Sequence, residues 1–478
     1  MSGNIRDEIV ERRRARIAQT GRDEGAALPA ARDVPVVPFL GESGLICEVK
    51  RRSPSRGVIA GGLDAVRQAG TYLSAGAKNL SVLTAPEGFD GCLDDLRRVK
   101  RAFPGAAVLR KDFLVDEEDI DVSFRAGADA VLLIAGMLPA ERLASMHARA
   151  KALGMEALLE IHGRGDLEKA RPVRPALVGV NSRDLETFAV DPLAPLITRS
   201  AIDWPARAVY ESGVSFPEQA AFAVSSGFAG VLVGEAVVRD PGLVARLLGA
   251  MAAAVRSAFW PGIAARLAEA EGRPLVKICG LTREDDARRA AESGADVLGF
   301  VFWERARRPA DPSVVRALRD VGLPKAAVTV NARGRTGLDP RVRELLEEGF
   351  LDAVQLHGDE APDDCARLWP AYCKAFRPAS VADLGKADAY RCPRLLLDAS
   401  AEDPGGTGVR VGERVLDAWK RPLWLAGGLS PENVGAIVGR RRPELVDAAS
   451  GVEDAPGVKN MDRVRRFIAG AKNAARRD

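Results

Sequence analysis

The feature that most constrains this chain is a repeated alternation of short apolar runs with amphipathic helical stretches. Nearly all of the runs are continuous, which is typical of parallel strands buried on both faces. Strands separated by helical patterns predict βαβ units, and eight of them favour a closed (β/α)8 barrel. The runs of the first half are 45–50, 79–84, 107–113, 129–135, 155–161, 176–181, 207–212 and 229–235.

The second half repeats the pattern, so the sequence predicts an α/β protein of two tandem barrels. An Ala-rich helical segment lies between the halves, and Gly272 and Pro274 close it. A doubly wound sheet is the alternative, but neither half has a glycine fingerprint after its first strand. The runs of the second half are 275–280, 296–302, 325–331, 352–357, 372–376, 394–400, 422–428 and 445–450.

Length and composition agree with two enzyme-sized barrels. The chain has 478 residues, and one such barrel commonly takes roughly 200–250. A net charge of +3 gives no case for nucleic acid or an acidic membrane as partner. No apolar stretch is long enough to span a bilayer, and the charged N-terminus does not resemble a secretory signal. The six cysteines have no spacing that suggests a disulfide framework, so we expect a cytoplasmic protein. Because these cysteines form no CxxC pair and the chain has only three histidines, the sequence predicts no metal site.

Charged residues end several predicted strands of the first half. Reactive residues of barrel enzymes collect at the C-terminal ends of the strands. One such lysine alone favours a structural ion pair, but several charges converging from different strands favour a catalytic site. Acids, bases and cations without metal ligands suit proton transfer around a carbonyl and a carboxylate. The residues are Glu48, Lys50, Lys111, Glu160 and Glu211, with Asn181 and Ser212 beside them.

Two glycines follow the last two strands of the first half, Gly213 and Gly234. Those loops commonly bind phosphate through backbone N–H groups. One such glycine is often only a turn, whereas the pair favours a phosphate site. The residues alone therefore predict a barrel enzyme for a phosphorylated, anionic carbonyl substrate.

The second half carries a different set. Cys279 ends its first strand, where a cysteine is usually a small buried hydrophobe but can serve as a base if neighbours favour its thiolate. Asp398 ends the sixth strand, before the GGTG run at 405–408, and could act as an acid opposite Cys279. Arg307 or Arg308 could clamp a carboxylate. The positions expected for phosphate hold Gly427, Gly428, Ser450 and Gly451.

Motifs of the first half resemble those of indole-3-glycerol phosphate synthases over essentially residues 1–257. The resemblance implies ring closure of 1-(2-carboxyphenylamino)-1-deoxyribulose 5-phosphate with loss of CO2 and water. The motifs are EVKRRSPS at 48–55, SVLT at 81–84, LRKDF at 109–113, LLEIH at 158–162, GVNSRDLETF at 179–188 and ESGV at 211–214.

This resemblance also implies roles. Lys111 matches the general acid at the ketone oxygen, and Glu160 matches a general base or proton relay. Glu48 and Lys50 match a pair that assists dehydration and holds the substrate. The remaining matches are Asn181, Arg183 and Ser212 around the anthranilate ring and carboxylate, Ser53 and Glu211 among the substrate-binding residues, and Gly213, Gly234 and Glu235 at the phosphate loops.

The second half resembles phosphoribosylanthranilate isomerases from about Pro274 to the end. The implied reaction is an Amadori rearrangement of N-(5-phosphoribosyl)anthranilate. The motifs are VKICGLT at 276–282, GFVF at 299–302, VQLHGDE at 354–360, LLLDAS at 395–400, GGTG at 405–408, LAGGL at 425–429 and VDAASGVE at 446–453.

In that family Asp398 matches the acid that opens the ribose ring, and Cys279 matches the base that removes the C2 proton. Arg308 matches the carboxylate-binding arginine. The run WERARRP at 303–309 departs from the family pattern, so Arg307 stays an alternative. The remaining matches are Gln355 and His357 for substrate and Gly427, Gly428, Ser450 and Gly451 for phosphate.

The two implied reactions are consecutive, since the product of the second half is the substrate of the first. The expected domains are 1–257, a helical linker at 258–273, and 274–478. We expect small phosphorylated anthranilate substrates, no cofactor, no metal and a monomer. The alternatives are another phosphosugar isomerase or lyase pair on this fold, and a scaffold with one inactive barrel.

Overall fold

A computed structural model describes residues 5–41, 44–54, 57–184, 187–331, 337–368, 371–399 and 410–474. The chain divides into two compact units, Met1–Arg256 and Ser257–Asp478.

The first unit is a closed barrel of eight parallel strands in chain order, with β8 hydrogen-bonded back to β1 through the pair Gly44 and Gly230. The strands are β1 Gly44–Val49, β2 Asn79–Leu83, β3 Ala107–Lys111, β4 Ala130–Ile134, β5 Glu156–Ile161, β6 Leu177–Asn181, β7 Arg207–Glu211 and β8 Gly230–Val233. The helices are α1 Ile5–Thr20, α2 Ala65–Ser74, α3 Leu93–Ala102, α4 Glu117–Ala126, α5 Ala140–Ala152, α6 Arg164–Ala170, α7 Ala194–Ser200, α8 Pro217–Ser225, α9 Glu235–Arg239 and α10 Leu243–Ala252.

The second unit is also a closed eight-stranded parallel barrel, with β16 hydrogen-bonded back to β9. The strands are β9 Leu275–Ile278, β10 Val297–Val301, β11 Lys325–Thr329, β12 Ala353–Leu356, β13 Tyr372–Phe376, β14 Leu395–Leu397, β15 Trp424–Leu425 and β16 Leu445–Ala448. The helices are α11 Phe259–Ala270, α12 Glu284–Glu292, α13 Pro312–Ala317, α14 Pro340–Glu347, α15 Pro362–Leu368, α16 Glu413–Ala418, α17 Val434–Arg441 and α18 Met461–Ala474, and Val381–Ala389 is a 3-10 helix.

The predicted fold class, two tandem (β/α)8 barrels, is confirmed. All sixteen apolar runs contain a barrel strand, because their side chains are buried both inside the barrel and under the helices. Several predicted strands run too long at their C-terminal ends. The run at 422–428 holds a strand of only two residues, Trp424–Leu425, since Gly427 and Gly428 turn with φ of +86° and +62°.

The segment predicted as a linker contains α11, which packs within the second unit. Trp260 is 1% exposed, and its ring lies 5.7 Å from the ring of Trp424 on β15. The helix ends where Glu271 and Gly272 adopt left-handed φ values of +50° and +84°. The segment before the second barrel is therefore a helix with a buried apolar face that packs within the second unit.

Among the described residues, no helix combines the length and the apolar character needed to cross a membrane.

Candidate active sites

The first cluster surrounds Lys111 at the C-terminal end of β3. Its Nζ atom lies 3.3 Å from Glu160 Oε2 on β5 and 3.6 Å from Glu211 Oε2 on β7. Glu48 comes from β1, so the charged residues stand on alternate strands, whose inward side chains share layers in such barrels. The structure therefore brings together side chains that are far apart in the sequence.

The charges of this cluster set distinct protonation states. Burial alone would lower the pKa of Lys111, but Glu160 and Glu211 outweigh it and leave this pKa raised. Burial and the adjacent Glu160 charge raise the pKa of Glu211. Burial alone would raise the pKa of Glu160, but Lys111 and then His162 hold it well below its ordinary value. The raised pKa of Lys111 and the lowered pKa of Glu160 favour a protonated lysine beside an ionised carboxylate, a pair suited to acid–base chemistry.

His162 stands behind Glu160 and was missed as a site residue. Its Nε2 atom lies 3.2 Å from Glu160 Oε1, and its Nδ1 atom lies 3.4 Å from Asp166 Oδ2. Burial works against the imidazolium, but the two carboxylates outweigh it and raise the pKa of His162 to about 9. The available signal was the spacing Glu-x-His at the end of β5, because residues two apart in an extended segment face the same side.

We expect the charge on His162 to stabilise the folded chain in a pH-dependent way. The folded pKa of about 9 exceeds the unfolded value of roughly 6.5. The contribution is therefore full below pH 6.5 and is lost as the pH rises through 9, with an upper limit of roughly 3 kcal/mol. His162→Gln should lower Tm by several degrees at pH 6 and by much less at pH 9.5. An equal loss at both pH values in thermal unfolding would contradict this expectation.

A second ion pair joins Glu48 and Lys50 at the end of β1. Lys50 Nζ lies 2.5 Å from Glu48 Oε1, and the Glu48 side chain is 3% exposed. A Cβ atom at Gly234, after β8, would lie 2.5 Å from Glu48 Oε1 and 2.8 Å from Lys50 Nζ. The expected phosphate loop thus approaches this pair closely, and only glycine leaves room for it.

Lys111 is followed by an acid that anchors the end of β3. Asp112 Oδ2 accepts hydrogen bonds from Arg110 Nη2 at 2.9 Å and Thr84 Oγ1 at 2.7 Å. Burial alone would raise the pKa of Asp112, but Arg110 and Arg13 outweigh it and lower this pKa to about 2. This buried network fixes the backbone beside Lys111.

Gly179 in β6 makes space for Glu211. A Cβ atom there would lie 1.9 Å from Glu211 Oε1, an oxygen that is buried without a hydrogen-bond partner in the described part of the chain. A glycine inside a strand often marks such a close approach, and this signal was overlooked.

We therefore expect Gly179→Ala to displace the Glu211 carboxylate and to impair chemistry in the first barrel. A misplacement of about 1 Å can cost on the order of 10²-fold in rate. The activity of the second barrel should not change. Gly249→Ala is the matched control, because a Cβ atom there meets nothing within 4 Å. Steady-state assay of both variants tests this, and an unimpaired Gly179→Ala enzyme would show that the Glu211 position is unimportant.

Of the other predicted residues of the first unit, Asn181 contacts this cluster directly, and Ser53 and Ser212 follow β1 and β7. Asn181 Nδ2 donates to Glu160 Oε1 at 3.2 Å, and Asn181 Oδ1 accepts from the Arg183 amide at 3.0 Å. Ser53 is buried, and its Oγ atom has no hydrogen-bond partner among the described residues. Ser212 has a left-handed φ of +69°, a strained conformation for a serine, directly before Gly213 at +75°.

Glu235 is less closely tied to the cluster. It begins α9, and its Oε1 atom accepts from Arg239 Nε at 3.0 Å on the same helix. Ser55, at the end of EVKRRSPS, and residues 185 and 186 lie outside the described residues.

Cys279 lies one residue beyond β9 and is 6% exposed. Its amide donates to Ala448 O at 2.9 Å, which fixes it at the end of the barrel. Burial raises the pKa of the Cys279 thiol above its ordinary value, and Lys277 acts in the opposite direction. Lys277 was not among the predicted site residues.

Asp398 lies one residue beyond β14 and faces a histidine. His357 Nε2 is 3.0 Å from Asp398 Oδ2, and Gln355 Nε2 is 3.1 Å from His357 Nδ1. The other Asp398 oxygen, Oδ1, accepts from the Ala399 amide at 2.8 Å. The three side chains form a chain of polar contacts that orients the Asp398 carboxyl group. The GGTG run at 405–408 lies outside the described residues.

The two arginines after β10 differ in placement. Arg307 is exposed, whereas Arg308 is 8% exposed. The Arg308 guanidinium contacts Glu453 through Nη2–Oε2 and Nε–Oε1 distances of 3.1 Å each. A Cβ atom at Gly280, next to Cys279, would lie 2.2 Å from Arg308 Cδ. Arg308 is therefore the arginine that reaches the Cys279 side of the barrel.

The predicted phosphate positions of the second unit follow β15 and β16. Gly428 O accepts from Asn433 Nδ2 at 2.8 Å, which holds the turn after β15. Ser450 begins a 3-10 turn, and a Cβ atom at Gly451 would lie 1.9 Å from Leu429 O. The loops after β15 and β16 therefore pack backbone against backbone.

The fold and these clusters define the class of protein: a tandem pair of (β/α)8 barrels, each with buried acid–base groups at the C-terminal ends of its strands. Residues 8–247 match the family of indole-3-glycerol phosphate synthase, and residues 276–470 match that of N-(5'-phosphoribosyl)anthranilate (PRA) isomerase. The chain therefore belongs to the indole-3-glycerol phosphate synthase family through its first unit and to the phosphoribosylanthranilate isomerase family through its second.

Curated relatives match either most of this chain or its second unit alone. The "Tryptophan biosynthesis protein TrpCF" of Yersinia pestis is 33% identical and covers 88% of this chain and 82% of its own length. The "Multifunctional tryptophan biosynthesis protein" of Schizosaccharomyces pombe is 33% identical over 90% of this chain. The isomerase of Geotalea uraniireducens is 42% identical over 41% of this chain and 98% of its own. The chain spans 59% to 65% of the length of the fungal relatives.

Proposed function

We propose that this chain catalyses two consecutive steps of tryptophan biosynthesis. The second barrel would isomerise N-(5-phosphoribosyl)anthranilate, and the first would cyclise the product to indole-3-glycerol phosphate. The observation that carries the proposal is that each barrel brings buried titratable side chains together at the C-terminal ends of its strands, within a stretch that matches its family. A scaffold with one inactive barrel would lack an acid or a base, and neither is missing from the described residues.

In the first barrel, Lys111 would protonate the ketone oxygen of the substrate while a carbon of the anthranilate ring attacks the ketone carbon. Loss of CO2 restores aromaticity to the anthranilate ring, and loss of water then forms the indole. Glu160 would act as the general base, because Lys111 and His162 lower its pKa and favour its ionised form. The Glu48–Lys50 pair would assist dehydration. We assign Asn181, Arg183, Ser53, Glu211 and Ser212 to substrate binding.

The phosphate of this substrate would lie against the loops after β7 and β8. Gly234 brings the backbone close to the Glu48–Lys50 pair, and Gly213 has a left-handed φ of +75° beside Val190, so both loops depend on glycine. Exposed backbone N–H groups of such loops commonly bind phosphate. Glu235 would contribute its backbone there, and we leave its side chain unassigned, because its carboxylate contacts Arg239 and would repel a phosphate.

In the second barrel, Asp398 would donate a proton to the ribose ring oxygen, which opens the ring to a Schiff base. Cys279 would then remove the C2 proton; the C2–H electron pair forms the enamine double bond, and tautomerisation gives the ketone. Arg308 would bind the anthranilate carboxylate in preference to the exposed Arg307. Gln355 and His357 would orient Asp398 and the sugar, and the loops with Gly427, Gly428, Ser450 and Gly451 would hold the phosphate.

Neither proposed reaction needs a metal ion. In the described part of the chain, no group of three His, Cys, Asp or Glu side chains is arranged to hold one. We expect both activities to survive prolonged treatment with EDTA within experimental error. Activity lost to the chelator and restored by one defined divalent ion would contradict the proposed acid–base mechanisms.

We further propose that the chain acts in the cytoplasm, as a monomer, on small phosphorylated anthranilates. Another phosphosugar isomerase or lyase pair would also suit the fold. Assay of the purified chain with each of the two substrates tests the proposal, and failure to convert either one would overturn it.

A further inference from the structure

A buried ion pair inside the second barrel has no part in the chemistry described so far. Lys277 on β9 and Asp447 on β16 are 4% and 6% exposed, and Lys277 Nζ lies 2.7 Å from Asp447 Oδ2. The second carboxylate oxygen, Asp447 Oδ1, is buried without a hydrogen-bond partner among the described residues. Burying two charges is costly, and hydrophobic replacements of such pairs are often neutral or stabilising. Fold stability alone therefore gives a weak reason for this pair.

The ion pair lies next to the Cys279 sulfur. Residues 277 and 279 are two apart, so both side chains point into the barrel. A Cβ atom on Gly299 of β10 would lie 2.8 Å from Cys279 Sγ and 3.1 Å from Lys277 Nζ. The sulfur and the ammonium group thus flank one empty position, which a glycine keeps open on the neighbouring strand. The sulfur and the ammonium nitrogen therefore lie within about 6 Å of each other, and charges at such a distance in a site shielded from water interact strongly.

A second lysine approaches the sulfur from the segment after β16. Lys459 is fully buried, and its Nζ atom donates to Glu453 Oε1 at 2.7 Å and to Ala449 O at 3.1 Å. Glu453 also holds Arg308, which packs against Gly280. The charged groups facing Cys279 are therefore Lys277 from its own strand, Asp447 from β16, and Lys459 with the Glu453–Arg308 pair from the surrounding loops.

The balance of these groups opposes the cost of burial. Burial raises the pKa of the Cys279 thiol; Lys277 lowers it, Asp447 raises it, and Lys459 lowers it. Without the lysines, ionisation of the Cys279 thiol would leave a thiolate in a site where burial and the Asp447 carboxylate both disfavour it. A thiolate, and not the thiol, is the reactive species of a cysteine.

We propose that Lys277, oriented by Asp447, is a positioning residue that stabilises the Cys279 thiolate and so enables this cysteine to act as a base. Lys277 neither gives nor takes a proton; when the substrate C2–H bond breaks, the S–H bond forms and the ammonium charge of Lys277 persists. The expected loss of isomerase activity rests on the proposed function. The effect on ionisation of the Cys279 thiol does not, because that ionisation can be measured without substrate.

The test measures the thiolate of Cys279 directly in the full chain. Iodoacetamide alkylation of Cys279 is followed by peptide mass against pH, in a Cys92→Ser background because Cys92 is the exposed cysteine among the described residues. Lys277→Met should move the alkylation midpoint upward by at least about one pH unit. It should also lower isomerase kcat by about tenfold or more, with a smaller change in KM.

Three further variants guard against misfolding. Lys277→Met combined with Asp447→Asn removes the orphaned buried carboxylate and should still show an upward midpoint relative to Asp447→Asn alone. Lys325→Met removes a buried lysine at the N-terminal end of β11, whose Nζ atom donates to Val321 O at 2.6 Å. This change should leave the alkylation midpoint of Cys279 unchanged.

Unmoved alkylation midpoints in both Lys277 variants would overturn the inference, whether or not the chain isomerises its substrate. A shifted midpoint in a chain without isomerase activity would instead overturn the proposed function and leave the role of Lys277 in place. A shifted midpoint together with a loss of kcat supports both.

Discussion

We expect the Lys111→Met variant to lose the synthase reaction while the isomerase reaction continues at its normal rate. Methionine keeps most of the length of the side chain but cannot donate a proton to the ketone oxygen. A general acid contributes on the order of 10²–10⁴-fold, and loss of the ammonium group also removes the charge that holds Glu160 ionised. The effect on synthase kcat should therefore lie at the upper end of that range.

The matched control is Lys151→Met, which changes an exposed lysine at the end of α5. It should leave both rates unchanged. A Lys111→Met protein that cyclises its substrate at more than about a tenth of the normal rate would exclude Lys111 as the acid, given the magnitude expected of such groups.

Asp398→Asn should have the reverse effect. The amide has the shape of the carboxyl group and can keep the contact with His357, but it has no acidic proton for the ribose ring oxygen. We expect isomerase kcat to fall by about 10²–10⁴-fold, with synthase activity retained. The two sites stand on separate barrels, and distant independent sites usually behave additively.

Asp388→Asn provides the control, since Asp388 lies in the Val381–Ala389 3-10 helix of the same unit with its side chain 83% exposed. It should behave as the unmodified enzyme in both assays. If a folded Asp398→Asn protein lost both reactions, the assignment of one reaction to each barrel would be wrong.

The fold was predictable because its main determinant is local. A strand buried on both faces is largely apolar, so each strand can be recognised from a few consecutive residues. The ends were less predictable, because polar side chains and left-handed turns decide them. The run 107–113 stops at Lys111 as a strand, since Asp112 Oδ1 accepts from the Phe113 amide at 2.8 Å and turns the chain.

The site residues were predictable only in part. Position at a strand end indicated Lys111, Glu160 and Asp398, and the family resemblance supplied their roles, which remain proposals. Glycines inside strands were the missed signal, because Gly179 and Gly299 mark where Glu211 and Cys279 need room.

Pairs between segments that are distant in the chain carried no such signal. Lys277 and Asp447 are 170 residues apart, so no spacing in the sequence connects them. The same holds for Arg308 and Glu453, at a separation of 145 residues, although their contact distinguishes Arg308 from Arg307.

The central claim, that one chain performs both consecutive reactions, is tested most directly by a single assay. The purified chain, free of other enzymes and treated with EDTA, is given N-(5-phosphoribosyl)anthranilate alone, and CO2 and indole-3-glycerol phosphate are measured. We predict that both appear in equal amounts and account for all of the substrate consumed. Accumulation of the rearranged ketone without CO2 release, or no consumption of the substrate, would contradict the claim.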